Sequence, residues 1–325
     1  MHQILLMVLY KGESNFLAKG EEEMKKSVVF ISCIVAFGLL LSSCAPAPTA
    51  APAAPAATTA PAAATEAPLK LVEKGKLTIC SNLPYKPMEF RDEKEQWAGM
   101  DIDLGTELAN RLGLKVSFVD TVFDTIIPSL LSGKCDIIMS SMSVTTSRSK
   151  QVSFIPYYIA GISFMVQKGN PENINTTLDL CGKKVAAQSG TYEVDFLQGT
   201  ADYEGAGVSQ ACEKEGKKKV VVVVTKEDSD AFQQLLSRKV SAYSADSPVV
   251  LDFLKDHGDQ FQTAGEIYDS GPYGIAIACG AADCSTAPFS PLGKALNDAF
   301  QKMLTDGGYD ALLAKWNLAA GTIKK

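Results

Sequence analysis

Histidine is nearly absent, with two among 325 residues, His2 and His257. A Ser-His-Asp triad or a multi-histidine zinc site would have to be built on one of them. His2 lies in a stretch read below as removed, so His257 stands alone in the working protein. It sits in the polar run Lys255-Asp256-His257-Gly258, where an exposed loop residue is expected rather than a catalytic one. Cysteine pairs at C-x-x-C spacing are lacking too, which removes the usual zinc frameworks. Neither a metal nor a cofactor is expected. An excess of positive charge is missing: 31 Lys and Arg face 37 Asp and Glu, a net charge of -6. A protein that grips a phosphate backbone carries a basic surface, so nucleic acid is not an expected partner. What remains is an ordinary globular composition, 46% hydrophobic and 21% charged, in a chain long enough for two domains with sizeable cores.

The amino terminus reads as a signal. From Met24 come two lysines, an apolar run from Val28 to Leu41, then Ser42, Ser43 and Cys44. A positive segment, an apolar segment and small residues before a break are the parts of a secretory signal peptide, here 24–43. Ser27 to Cys44 just reaches spanning length, so a membrane anchor is the competing reading. Leu41-Ser42-Ser43-Cys44 resembles the lipobox of bacterial lipoproteins, in which the cysteine is lipidated. Residues 45–68 are 13 Ala, 6 Pro, 4 Thr and 1 Glu, a composition that forms no core and suits an extended tether reaching roughly 75 Å. Residues 1–23 fit neither part and are read as a start assigned too early. Loss of 1–43 removes four Lys and four Glu, leaving the charge unchanged.

Six further cysteines follow Cys44, on the side of the membrane where disulfides persist. Cys279 and Cys284 flank a short turn and Cys181 and Cys212 flank one strand-helix unit, so both are candidate pairs. Cys80 and Cys135 fall in apolar strands and are expected as buried free thiols.

From residue 69 the pattern alternates. Strands are expected at Leu77–Cys80, Lys115–Val119 and Cys135–Met139, with helices at Ile102–Leu112, Ile126–Leu131 and from Thr145. The order then restarts: Lys184–Ala187, Val220–Thr225 and Val240–Tyr243 as strands, the second an all-apolar central one, and Thr191–Leu197, Ser229–Leu236 and Pro248–Leu254 as helices. Gly271–Ala278 adds a strand, and Pro291–Leu304 and Tyr309–Trp316 close the chain as helices. Such an order gives an α/β architecture of two units, each with a mostly parallel sheet covered on both faces. Ligands of such sheets bind beyond the carboxyl ends of the strands, which points to the loops after Cys80, Met139, Ala187 and Tyr243.

After Met139 come Ser140, Ser141, Met142 and Ser143, with Arg148 five residues further on. Hydroxyls, loop N–H groups and an arginine fork suit one planar carboxylate. After Tyr243, Asp246 opens a helix on the other unit and is also a natural N-cap. Carboxylate held by one unit and ammonium by the other describes an amino acid in a cleft.

The resemblance narrows this. Gly99-Met100-Asp101-Ile102-Asp103-Leu104, Ile127-Pro128-Ser129-Leu130, Asp136 through Arg148, Gln188-Ser189-Gly190-Thr191 and Ala245-Asp246-Ser247-Pro248 are together similar to the polar amino-acid substrate-binding proteins of bacterial ABC importers. The likeness runs from about Leu71 to Lys325 and implies a two-lobed fold of the periplasmic binding protein type 2 class. One lobe would be 69–160 with 270–325, the other 161–269, joined by hinge crossovers near Tyr158–Ile162 and Asp269–Tyr273. Carried over by residue, Arg148 with Ser141 and Ser143 would bind the ligand carboxylate. The Gln188 to Tyr192 segment would close on it, with Thr191 and Tyr192 foremost; Tyr192 departs from the Thr or Gly usual there. Asp246, helped by the Ser140 carbonyl, would take the ammonium, and Tyr85 and Phe123 would sandwich the side chain. Asn82 stands where relatives with cationic or amide ligands often have Asp, which lowers the expectation of a strictly cationic ligand, though Glu89 is close enough in sequence to leave it open. The resemblance implies a lipid-anchored, monomeric, extracytoplasmic protein that delivers its amino acid to an ABC permease. A rival on the same fold is a cyclohexadienyl-dehydratase-like enzyme using Glu89, Glu193 or Asp246 as its acid.

Overall fold

β1 (Lys76–Ser81) is buried along almost its whole length, as a strand covered on both faces must be. The computed structural model containing it describes residues 69–324, apart from 201, 202 and 204. The assigned start, the signal peptide, Cys44 and the Ala/Pro/Thr tether lie outside the described residues.

A two-residue hairpin follows, β2 (Phe90–Arg91) against β3 (Trp97–Ala98), and leads into α1 (Met100–Arg111). The helix begins after Gly99, whose φ is 127° and whose position leaves no room for a side chain: a Cβ there would lie 2.0 Å from the Met88 carbonyl oxygen. Met100, Leu104 and Leu108 are buried in the core that also holds Leu77 and Ile79 of β1. β4 (Lys115–Asp120), α2 (Ile126–Leu131), β5 (Ile137–Ile138) and α3 (Thr146–Gln151) complete this half, with β4, β1 and β5 parallel neighbours.

β6 (Ser153–Gln167) then carries the chain into the second half. There β7 (Lys184–Gln188), α4 (Tyr192–Gln198), α5 (Val208–Lys214), β8 (Val221–Thr225), α6 (Asp228–Leu236), β9 (Ala242–Asp246) and α7 (Ser247–His257) repeat the plan, with β8, β7 and β9 parallel. β10 (Phe261–Ile277) returns to the first half, where α8 (Pro291–Thr305) and α9 (Gly308–Trp316) cover the sheet. The strand order is β4-β1-β5-β10-β6-β9-β7-β8. Within each half the sheet is mostly parallel. Only β10 and β6 run against their neighbours, and they pair with each other from Phe261/Gln167 to Ile277/Ser153.

Four findings correct the sequence reading. Cys80 and Cys135 are joined in a disulfide, with Cα atoms 5.7 Å apart, because β1 and β5 are adjacent strands; Cys181–Cys212 and Cys279–Cys284 are joined as well. Val220–Thr225 supplies an edge strand, not a central one: Val221 and Val224 are 48% and 46% exposed. The crossover segments are the middles of two long strands, β6 and β10. His257 ends α7 and packs its ring 5.3 Å from that of Phe232, so it belongs to an aromatic cluster and not to a loop. No helix among the described residues is long and apolar enough to cross a membrane.

Candidate functional site

Five segments meet in a cleft between the halves, those at or beyond the carboxyl ends of β1, β4, β5, β7 and β9. The cavity left between them is small, about 20 Å³. Ten of the eleven residues expected to bind ligand line it: Asn82, Tyr85, Phe123, Ser140, Ser143 and Arg148 from the first half, and Gln188, Thr191, Tyr192 and Asp246 from the second. Ser141 does not. Glu89 and Glu193 line it as well; the sequence offers both as acids for the rival enzyme and Glu89 also as a partner for a cationic ligand.

The Ser140–Ser143 loop is fixed from three sides. Ser141 adopts a left-handed φ of 48°, a conformation that costs an L residue on the order of 1 kcal/mol. Its N–H donates to Asp101 Oδ2 at 2.9 Å, and its hydroxyl turns inward to Glu89 at 3.2 Å. Ser140 Oγ accepts the Asn82 N–H at 2.9 Å and donates to Glu89 at 3.0 Å. Val144 and Gly274 N–H groups tie the loop to β10 through Pro272 and Met142 carbonyls. Asp101 also accepts the Tyr157 hydroxyl at 2.7 Å. Asp101 and Glu89 are both fully buried; burial pushes Asp101 up to about 7 and Glu89 well above the carboxylate range, with the charge of Asp101 adding to the rise in Glu89. This carboxyl pair braces the loop from beneath.

Arg148 enters from α3, where Thr145 caps the helix by accepting its N–H. The guanidinium donates to the Ser143 carbonyl at 2.8 Å and, across the cleft, to the Gly190 carbonyl at 2.9 Å. It lies 5.7 Å from the centre of the Phe123 ring, close enough for a cation–π contact. Facing it, Asp246 closes β9 and accepts the Tyr85 hydroxyl at 2.8 Å, while its own N–H donates to that hydroxyl. Burial pushes Asp246 up to about 6, the Tyr85 hydrogen bond working the other way. Glu193 follows Tyr192 in the first turn of α4 and is 4% exposed; burial and then the charge of Asp246 hold its carboxyl well above the usual range.

Asn82 bridges the halves. It accepts from Gln188 Nε2 at 2.7 Å and donates to Glu227 at 3.1 Å, so its amide is spent on the opposite half. Within the second half, Tyr192 reaches β10, its hydroxyl donating to Asp269 at 2.7 Å. Thr191 turns its hydroxyl back to the Gln188 carbonyl at 2.8 Å, leaving its own hydroxyl committed to the loop. The described residues contain no grouping of His, Cys, Asp and Glu with metal-ligand geometry.

Comparison with known proteins bears on this geometry. Residues 77–319 match the family described as bacterial extracellular solute-binding proteins, family 3. The L-cystine-binding protein TcyJ of Escherichia coli strain K12 is 29% identical over 248 residues, covering 76% of this chain and 84% of that protein. An ancestral arginine-binding protein, solved with arginine bound, is 35% identical with a TM-score of 0.64, covering 75% of this chain and 98% of its own. The ancestral amino acid-binding protein AncCDT-1, a precursor of cyclohexadienyl dehydratase, is 34% identical with a TM-score of 0.59 and covers 74% of this chain and 95% of its own. These solved relatives share a two-lobed fold that the halves described above reproduce. With a match spanning three quarters of its length, the chain belongs to the family 3 bacterial extracellular solute-binding proteins.

Proposed function

We propose that this protein captures an amino acid between its two halves and delivers it to an ABC permease. The observation that carries the reading is the placement of Arg148 on one wall and Asp246 on the opposite wall of a single buried cleft. An arginine fork grips a carboxylate through parallel hydrogen bonds, and a buried aspartate answers an ammonium. Neither half holds both ends of a zwitterion, so binding energy is realised only when the halves meet. Closure is then the function, and the permease reads it. The two lobes of this motion are 69–160 with 270–325 and 161–269, hinged where β6 and β10 cross. The signal at 24–43, a lipid on Cys44 and the 45–68 tether hold the protein, as a monomer, at the outer face of the membrane. Support for the binding role comes from relatives named as amino-acid-binding proteins. Buried acids with raised affinity for protons and the kinship with AncCDT-1 favour one alternative, a dehydratase.

Thermal-shift measurement of the full chain against the twenty standard amino acids, ornithine, citrulline and prephenate separates the two. A ligand at 100 times its dissociation constant adds about 2.7 kcal/mol, a shift on the order of 5 to 10 °C for a domain of this size. One or a few amino acids are expected to give it. Turnover of prephenate with no amino-acid shift would overturn the binding reading.

A further inference from the structure

The charges that face the cleft do not balance an ordinary amino acid. Arg148 is the one cation among the described lining residues; Glu89, Glu193 and Asp246 are the acids. A zwitterion adds a carboxylate for Arg148 and an ammonium for Asp246, which leaves Glu89 and Glu193. Glu89 is answered from below, by the Ser140 and Ser141 hydroxyls on its two oxygens. Glu193 is different. Its Oε1 is buried with no hydrogen-bond partner among the described residues, although the residue is 4% exposed and lines the cleft. A buried acceptor left unpaired costs on the order of 1 to 3 kcal/mol, more for a charged one, and the neighbouring group, Asp246, carries the same sign. Glu193 keeps company with Asp246 only while one of the pair holds a proton.

From this geometry we infer that Glu193 is a specificity-determining residue that selects an amino acid bearing a second positive charge on its side chain, an ammonium or a guanidinium. This rests on the binding function proposed above and deepens it. A neutral ligand leaves Glu193 to carry its proton into the closed cleft. A cationic ligand takes the proton's place and converts an unpaired acceptor into a charge-assisted hydrogen bond. Position supports the assignment: Glu193 is carried by the second half and lines the same cleft as Asp246, while Arg148 lines it from the first. Tyr85 and Phe123 give the stem of that side chain apolar flanks from the first half.

The test compares arginine with citrulline, and lysine with norleucine, by calorimetric titration of the full chain. Each pair differs in charge at nearly constant shape. Wild type is expected to prefer the cationic member by about 30-fold or more. Glu193→Gln, which mimics the protonated acid, should lower that ratio by about tenfold or more, chiefly through the cationic ligand; a tenfold change corresponds to about 1.4 kcal/mol. Glu193→Asp, which keeps the charge, should retain most of the preference and guards against a loss caused by misfolding. Equal affinity of wild type for arginine and citrulline overturns the inference while leaving amino-acid binding intact. So does a ratio unchanged in Glu193→Gln. Failure of wild type to bind any of the four, while another of the twenty amino acids binds, overturns the inference alone; failure to bind any amino acid overturns the binding function itself.

Discussion

Arg148 and Asp246 carry opposite ends of the proposed ligand, and their replacement should separate binding from folding. Arg148→Ala removes two charge-assisted hydrogen bonds to the ligand, worth on the order of 3 to 6 kcal/mol together, so the dissociation constant should rise 100-fold or more. Arg148→Lys should rescue little of this, because an ammonium lacks the fork. Urea unfolding should show both variants still folded, with Arg148→Ala less stable by about 1 to 3 kcal/mol because the Ser143 and Gly190 carbonyls lose their donor; retained affinity in Arg148→Ala would show that the carboxylate lies elsewhere. Gly99→Ala is the converse case, a residue with no ligand role whose φ of 127° and 2.0 Å approach to Met88 make any side chain cost about 2 kcal/mol or more. The lining of the cleft was partly legible at this scale. Arg148, Asp246, Ser140 and Ser143 could be placed at it because each lies at or beyond the carboxyl end of an apolar strand, and strand ends converge in this architecture. Ser141 is outside the lining because its left-handed backbone, invisible in sequence, turns the hydroxyl inward. Glu193 could have been found two residues past the Gln188–Thr191 motif, but a first-turn side chain points into the cleft or away from it according to how α4 sits, and no spacing decides that.

β6 and β10 are the elements on which the proposed closure depends. They pair for most of their length with register shifts between Ala264/Tyr268 and Tyr268/Gly271, and irregular pairing is where a two-strand ribbon can twist. Gly161 faces this zone: a Cβ there would lie 2.5 Å from Ser270 Oγ, 2.6 Å from Ile267 Cγ2 and 2.8 Å from the Tyr268 carbonyl. Gly161→Ala should push the strands apart, lower stability by about 1 to 3 kcal/mol and weaken ligand binding from a distance, read by urea unfolding and calorimetry together. Binding at wild-type strength in a destabilised variant would mean that this zone does not couple to closure. Replacement of both Cys80 and Cys135 by Ser should cost about 4 kcal/mol, as expected for a bridge that closes a loop of this length. Most helices and parallel strands were legible because their apolar spacing matched one period throughout. β6 was not, and of β10 only the part in Gly271–Ala278 was, since a strand that leaves one core and enters another changes its buried face on the way. Val220–Thr225 misled for a related reason: five valines in sequence announce a strand but not how many of its faces are covered. α5 was missed because two hydrophobic residues at a four-residue spacing, Val208 and Cys212, barely mark a face.

For the whole molecule, buried acids set the response to pH. Burial pushes Asp101 and Asp228 up to about 7 and Asp246 up to about 6, above the ordinary aspartate value near 3.9 that the unfolded chain shows. The folded protein therefore binds more protons than the unfolded chain between about pH 4 and pH 7, and stability must fall as pH rises through that window. The melting temperature without ligand should be higher at pH 5 than at pH 8. Asp228 accepts two contacts from the Tyr243 hydroxyl, at 2.7 and 2.6 Å, and does not line the cleft, so Asp228→Asn should flatten the slope without adding or removing a ligand contact. A melting temperature that rises from pH 5 to pH 8 would contradict the assignment of these carboxyls.

The second half enters through β6 and leaves through β10, and those strands are hydrogen-bonded neighbours. Its two ends thus lie side by side, the geometry of a cassette slotted into a host, while Leu69, at the start of the described chain, and Leu318 and Ile323, near its end, pack on the host's core. Arg148 belongs to the host; Glu193 and Asp246 belong to the cassette. Recombination between relatives at these two strands would exchange one wall of the cleft in a single step, so that a lineage could trade its side-chain preference while inheriting the carboxylate grip unchanged.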